Sequence, residues 1–176
     1  MGKPTIITFS GQAGHGKDTS VKILKGLLEQ QSKRVLIANY ADHLKFLAAK
    51  YLNWDGSKNE KNRTILQVLG TERIKDKIPT YWVDTVIGVA KIFENDCDYI
   101  LISDCRFPHE IIRWKEEGYK IFSVHLERPG FDNGLTDEQK NHPSETALNC
   151  YEFDVNIKAG TIDELQEQIK TVLCYI

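Results

Sequence analysis

The stretch FSGQAGHGKDTSVKIL, Phe9 to Leu24, decides how the rest of the chain is read. From Gly11 to Lys17 it has the G-x-x-x-x-G-K spacing of a phosphate-binding loop. The Ser or Thr that normally follows the lysine arrives one place late, at Thr19, and Asp18 fills the gap. The context is the one such a loop requires. An apolar run, Ile6 to Phe9, precedes it, and a helical stripe of Val21, Leu24, Leu27 and Leu28 follows. Gly11, Gly14 and Gly16 let the backbone wrap closely around phosphate oxygens, with His15 inside the same turn and Lys17 adding a positive charge.

Asp18 is the informative departure. A carboxylate beside a triphosphate repels it unless a divalent cation lies between them. One reading has Asp18 hold Mg²⁺, directly or through water, with the Thr19 hydroxyl beside it. The other makes Asp18 a helix-start aspartate that favours the dipole.

Strand-like runs recur along the chain: Ile6–Phe9, Val35–Asn39, Tyr99–Ile102, Ile121–Leu126 and Val155–Ile157. The first and third are continuously apolar, as expected of strands covered on both faces of a parallel sheet. Helical patterns separate them. Pro108 and Gly118 bracket one helix, and the TIDE of Thr161–Glu164 opens the last as a capping box. This alternation predicts an α/β fold. Two intervals exceed a simple connection. Ala41 to Asp98 reads as almost wholly helical, and Arg128 to Tyr151 as polar and turn-rich. In a phosphoryl-transfer enzyme these suit an acceptor-binding insertion, about 42–97, and a lid, about 128–151, within a single domain.

The loop resembles that of the adenylate kinase family, which also places one residue between lysine and threonine. Here Ala13 stands for that family's proline and Asp18 for its glycine. With YADHLK (Tyr40–Lys45), LQVLGTERIK (Leu66–Lys75), YWVD (Tyr81–Asp84), SDCRFPHE (Ser103–Glu110) and HPSE (His142–Glu145) in that order, the chain resembles the deoxynucleoside monophosphate kinases of bacteriophages and their hosts. His43 and His109 depart from the proline and asparagine often found in those motifs. The resemblance implies a five-stranded parallel P-loop kinase sheet in the order 2-3-1-4-5, ATP and Mg²⁺ as cofactors, and a deoxynucleoside monophosphate as acceptor.

Roles follow from place and resemblance. Asp104 ends a buried strand where P-loop proteins hold Mg²⁺, so Asp18, Thr19 and Asp104 form the expected metal set and Lys17, Asp18, Asp104 and Arg106 the expected catalytic set. Arg106, two residues beyond Asp104, is placed to fork onto the acceptor phosphate. Arg73 and Lys45 join it by resemblance, and Arg128 is assigned to the nucleotide. Asp42 reads equally as an acceptor contact or as the N-cap of a helix from His43. Trp82 and Tyr81 read equally as a base-stacking surface or as anchors of the insertion. Glu145 is assigned to the substrate by its motif. Arg63 reads as solvated, Arg34 as structural and Arg113 as a surface residue.

The bulk numbers exclude other classes. At 176 residues the chain can bury a sizeable core. Its net charge of -2, with Lys and Arg dispersed, argues against a nucleic-acid surface. No apolar run approaches the ~18 residues of a membrane span. No export signal is apparent, so a cytoplasmic protein with reduced Cys97, Cys105, Cys150 and Cys174 is expected. Two rival functions stay open: a kinase of another phosphorylated acceptor, since animal-type phosphomevalonate kinase also has a G-K-D loop, and a nucleotide-binding regulator without turnover. A homodimer is also left open.

Overall fold

The computed structural model describes residues 2–57, 59–72, 74 and 77–176. Its strands are β1 (Thr5–Ser10), β2 (Val35–Ile37), β3 (Tyr99–Ile102), β4 (Ile121–Glu127) and β5 (Val155–Lys158), paired in the order β2-β3-β1-β4-β5. All pairings are parallel, with Ile6 opposite Ile100 on one side and Ile121 on the other. The α/β class and the strand order expected from the resemblance are both present.

Side chains of successive strand residues point to opposite faces, both of them covered, which explains the largely apolar runs. Ile6, Ile100 and Ile102 meet Tyr40, Val83, Ile87 and Trp114 on one face. Ile7, Phe9, Leu101 and Val124 meet Leu24, Leu28, Leu165 and Ile169 on the other. The second face is covered by α1 (Lys17–Gln30) and α8 (Ile162–Val172), the first by α2 (Tyr40–Leu52), α4 (Tyr81–Ile92) and α5 (His109–Glu116). The Thr161–Glu164 capping box forms as the sequence indicates, with the Glu164 N–H donating to Thr161 Oγ1 at 3.2 Å.

Between β2 and β3 the chain also forms α3 (Glu60–Gln67), which runs into a π-helical turn (Val68–Glu72). The polar 128–151 segment carries two single turns, α6 (Asp137–Lys140) and α7 (Pro143–Thr146). One boundary differs from the sequence reading. β2 stops at Ile37 and α2 starts at Tyr40, with Asn39 as its N-cap, so the helix begins before His43 and Asp42 lies inside it. Elsewhere Arg34 ties the start of β2 to Asp98 at 2.9 Å, and Arg113 pairs with Asp84, Glu116 and Glu117 on the surface, both as expected. No helix among the described residues is long and apolar enough to cross a membrane.

Candidate active site

The loop between β1 and α1 leaves the middle of the sheet at its C-terminal edge, where α/β proteins take ligands. Gly11 has a φ of 134°, and a Cβ there would run into the Leu126 carbonyl of β4. Gly14, at φ 80°, is overlain by the Phe131 ring, which leaves no room for a side chain. Gly16 sits left-handed at the start of α1 without a side-chain cap, so the helix's first amides are available to an anion. His15 Nδ1 lies 3.1 Å from the Leu126 carbonyl, which anchors the loop to β4. Lys17 donates to the Gly11 and Gln12 carbonyls, each at 2.8 Å. Burial, and next the Arg106 guanidinium, lowers its ammonium pKa to about 7.

Asp18 and Asp104 part company. The Ser103 hydroxyl, at the end of β3, donates to Asp18 Oδ1 at 2.6 Å and lies 3.0 Å from Asn39 Oδ1. Asp104 instead turns to α2: its Oδ1 accepts the Tyr40 N–H at 3.1 Å and its Oδ2 the Ala41 N–H at 2.8 Å. Burial pushes the Asp104 carboxyl above its ordinary value despite those two bonds. Asp104 and Asp18, both expected to hold magnesium, thus meet different partners here: the start of α2 and the Ser103 hydroxyl. Among the described residues no group of three or more His, Cys, Asp and Glu is arranged to hold a metal ion. Magnesium does not require such a group, since it is usually held by one or two carboxylates together with substrate phosphates and water, and Asp18 offers one carboxylate beside the loop.

Arg106 reaches the loop from the far side. Its Nη1 donates to Glu145 Oε1 at 2.7 Å and to the Ser144 carbonyl at 3.3 Å, and lies 3.5 Å from the Gly11 carbonyl. Glu110, the last residue of SDCRFPHE, holds the Arg106 backbone. Its Oε2 accepts the Arg106 N–H at 2.6 Å and the Phe107 N–H at 3.0 Å. Burial raises this carboxyl to about 8, and the Asp104 charge adds to the rise.

Two cavities flank the loop. One, of about 530 Å³, is lined by Gln12, His15, Glu127, Arg128, Pro129 and Lys158 among others. The other, of about 280 Å³, has walls of Leu44, Leu66, Trp82, Phe107 and Leu135, with Arg63, Gln67 and Gln139 as polar groups. Arg106, Ser144 and Glu145 border both. Arg128 stacks on Phe131 at 4.3 Å. Trp82 lines the smaller cavity while its Nε1 donates to the Gly70 carbonyl at 2.9 Å, which anchors it within the insertion.

Not every expected residue gathers here. Asp42 and Lys45 are exposed, lie 4.0 Å apart and line neither cavity; the Asp42 carboxylate accepts the Asn39 N–H at 3.3 Å. The N-cap alternative for Asp42 also fails, because Asn39 holds that place. Arg73 lies outside the described residues. Arg63, read as solvated, is half-buried in the smaller cavity and donates to Gln139 Oε1 at 3.1 Å. Sequence reading also missed Ser103, Glu110, Gln67 and Gln139, although Ser103 and Glu110 stand within a motif that resembles the family's.

A phosphate-binding loop centred in a 2-3-1-4-5 parallel sheet, with Arg106 on the border of two cavities, defines a P-loop kinase fold. Two structures of the Mycobacterium tuberculosis APS kinase share it: a point mutant, at TM-score 0.54, and a complex with AMPPNP and APS, at 0.56. Each is 13% identical over 99% of this chain and 97% or 98% of the other, a likeness of fold. The family model for deoxynucleotide monophosphate kinase matches residues 30–169, and the chain belongs to that family. It is a phosphotransferase, with a nucleotide monophosphate kinase role. No curated protein is significantly similar to it in sequence.

Proposed function

We propose that this chain transfers the γ-phosphoryl group of ATP to a deoxynucleoside 5′-monophosphate, giving the diphosphate. The observation that carries the reading is the pair of cavities on either side of one phosphate-binding loop, with Arg106 on their common border. The larger takes the donor, with Arg128 and His15 beside its base and ribose. The smaller takes the acceptor. Trp82, Leu44 and Phe107 give its base an apolar slot, and Gln67, Gln139 and Arg63 offer hydrogen bonds.

Phosphoryl transfer asks the protein for positioning and charge rather than covalent chemistry. The amides of residues 13–16 and the start of α1 cradle the donor phosphates, and Lys17 swings from its carbonyl contacts onto their outer oxygens. Arg106 fixes the acceptor phosphate in line, its backbone pinned by Glu110. Asp18 and Thr19 hold magnesium, which when bound neutralises charge on the phosphate oxygens, and Ser103 orients the Asp18 carboxylate. The segment 128–151 acts as a lid that excludes water competing for the phosphoryl group.

A bisubstrate analogue, adenosine joined to a deoxynucleoside through a polyphosphate bridge, tests the arrangement. It should bind at least about a hundredfold more tightly than ATP, because one molecule fills both cavities without a second association cost. Binding no tighter than ATP would contradict the two-cavity assignment. Phosphomevalonate serves as the competitor that separates the rival acceptor class.

A further inference from the structure

In the chain without substrate, Glu145 already makes the contacts of an anionic ligand. Its Oε2 accepts the Ala13 N–H at 3.3 Å, in the middle of the phosphate-binding loop. Its Oε1 accepts from Arg106 Nη1 at 2.7 Å, and the side chain is only 9% exposed. A loop amide and a guanidinium converging on two oxygens of one anion is the donor pattern that binds phosphate. The segment bearing Glu145 is seated on the loop in other ways too. Phe131 covers Gly14, and Asn133 Nδ2 lies 3.5 Å from Gln12 Oε1. Lys17, meanwhile, is bonded to backbone carbonyls of the same loop.

We propose that the Glu145 carboxylate is an internal stand-in for a substrate phosphate, displaced from Ala13 and Arg106 when a phosphate group arrives. A carboxylate left in place would repel the incoming anion while occupying its donors. Phosphate binding must therefore expel Glu145, and with it α7, which frees the 128–151 segment from its seat on the empty loop before it closes over the full donor–acceptor pair. The stand-in keeps the half-buried Arg106 guanidinium and the loop amide paired in the empty protein, where leaving them unpartnered is costly. It also lowers the apparent affinity for phosphates, since each must compete with a group tethered to the site. Only the identity of the displacing phosphate rests on the kinase reading.

The test uses inorganic tripolyphosphate without magnesium, on the full chain and on the Glu145→Gln and Glu145→Ala variants. Glutamine keeps the shape and one acceptor oxygen but loses the charge. Both variants should bind tripolyphosphate about fivefold or more tighter than the parent. Amide exchange across residues 128–151 should also quicken in the empty variants, towards the rate of the phosphate-loaded parent. Equal or weaker binding in the glutamine variant, or no binding by any of the proteins, overturns the proposal. Unchanged exchange in the folded alanine variant does so as well. If the variants behave as expected but no deoxynucleoside monophosphate is phosphorylated, the stand-in holds and the acceptor assignment fails.

Discussion

Ser103 Oγ lies 2.6 Å from Asp18 Oδ1, while the next residue, Asp104, is bonded to the amides of Tyr40 and Ala41. Neighbouring positions at the end of β3 thus serve different masters: one meets the phosphate-binding loop and the other begins α2.

This division separates two aspartate variants. Asp18→Asn should raise the magnesium concentration needed for half-maximal turnover by about tenfold, with little change in melting temperature. Asp104→Asn should cost roughly 0.5–2 kcal/mol of stability, the range for a lost helix cap, and leave the magnesium dependence unchanged. Magnesium titrations beside thermal melts decide between them. Superimposable magnesium curves for Asp18→Asn and the parent would return Asp18 to a helix-start role.

Glu110 gives the fold a pH dependence of definite sign. Its carboxyl is raised from 4.5 to about 8 in the folded chain, so between those values the folded state holds a proton that the unfolded state has lost. Stability falls as pH rises through that window. Glu110→Gln keeps an oxygen for the Arg106 and Phe107 amides and removes the titrating group. Its melting temperature should fall less than the parent's between pH 5 and pH 8. Parallel pH profiles would show that Glu110 is ionised throughout.

Much of this was legible in the sequence, for physical reasons. Strands covered on both faces are mostly apolar, so β1 and β3 declare themselves even though β1 buries Thr8 and Ser10. The glycines of the loop are demanded by Leu126 and Phe131, and their spacing survives without knowledge of either. The family match begins at residue 30, beyond the loop, so the loop and the later motifs are independent signals of one class. Illegible were contacts made by distant segments. Arg63 stands in the polar stretch NEKNRT and looks solvated until the 128–151 segment closes over it. Asp104 finds its partners among backbone amides, which no side-chain pattern announces. Asp42 and Lys45 miss the cavity by helix geometry: Tyr40, Ala41 and Leu44 line it, and one residue further turns about 100° away.

Arg63 should belong to the acceptor. Its guanidinium lines the smaller cavity and reaches Gln139, so it joins α3 to the 128–151 segment across the base slot. Arg63→Ala should raise KM for the monophosphate about tenfold, as for loss of one charged hydrogen bond, and leave KM for ATP within about twofold. Initial rates with each substrate varied in turn measure the split. A rise confined to ATP would move Arg63 to the donor side.

Arg106→Lys should be more damaging, because a lysine cannot reproduce the fork that holds a phosphate dianion. A fall of roughly thirty- to several-hundred-fold in kcat/KM for the monophosphate is expected, with ATP affinity nearly unchanged. Calorimetric titration with ATP beside steady-state kinetics checks both halves. Weakened ATP binding as the main effect would place Arg106 with the donor.

The central claim is that a deoxynucleoside monophosphate receives the γ-phosphoryl group of ATP. Its most direct test is ³¹P NMR of the purified chain with ATP, Mg²⁺ and each deoxynucleoside monophosphate in turn, beside Lys17→Ala as control. The account predicts new β-phosphate resonances of a deoxynucleoside diphosphate, matched by ADP, with the rate about 100- to 1,000-fold lower in the variant. Release of inorganic phosphate without any deoxynucleoside diphosphate, or equal rates in parent and Lys17→Ala, would contradict it.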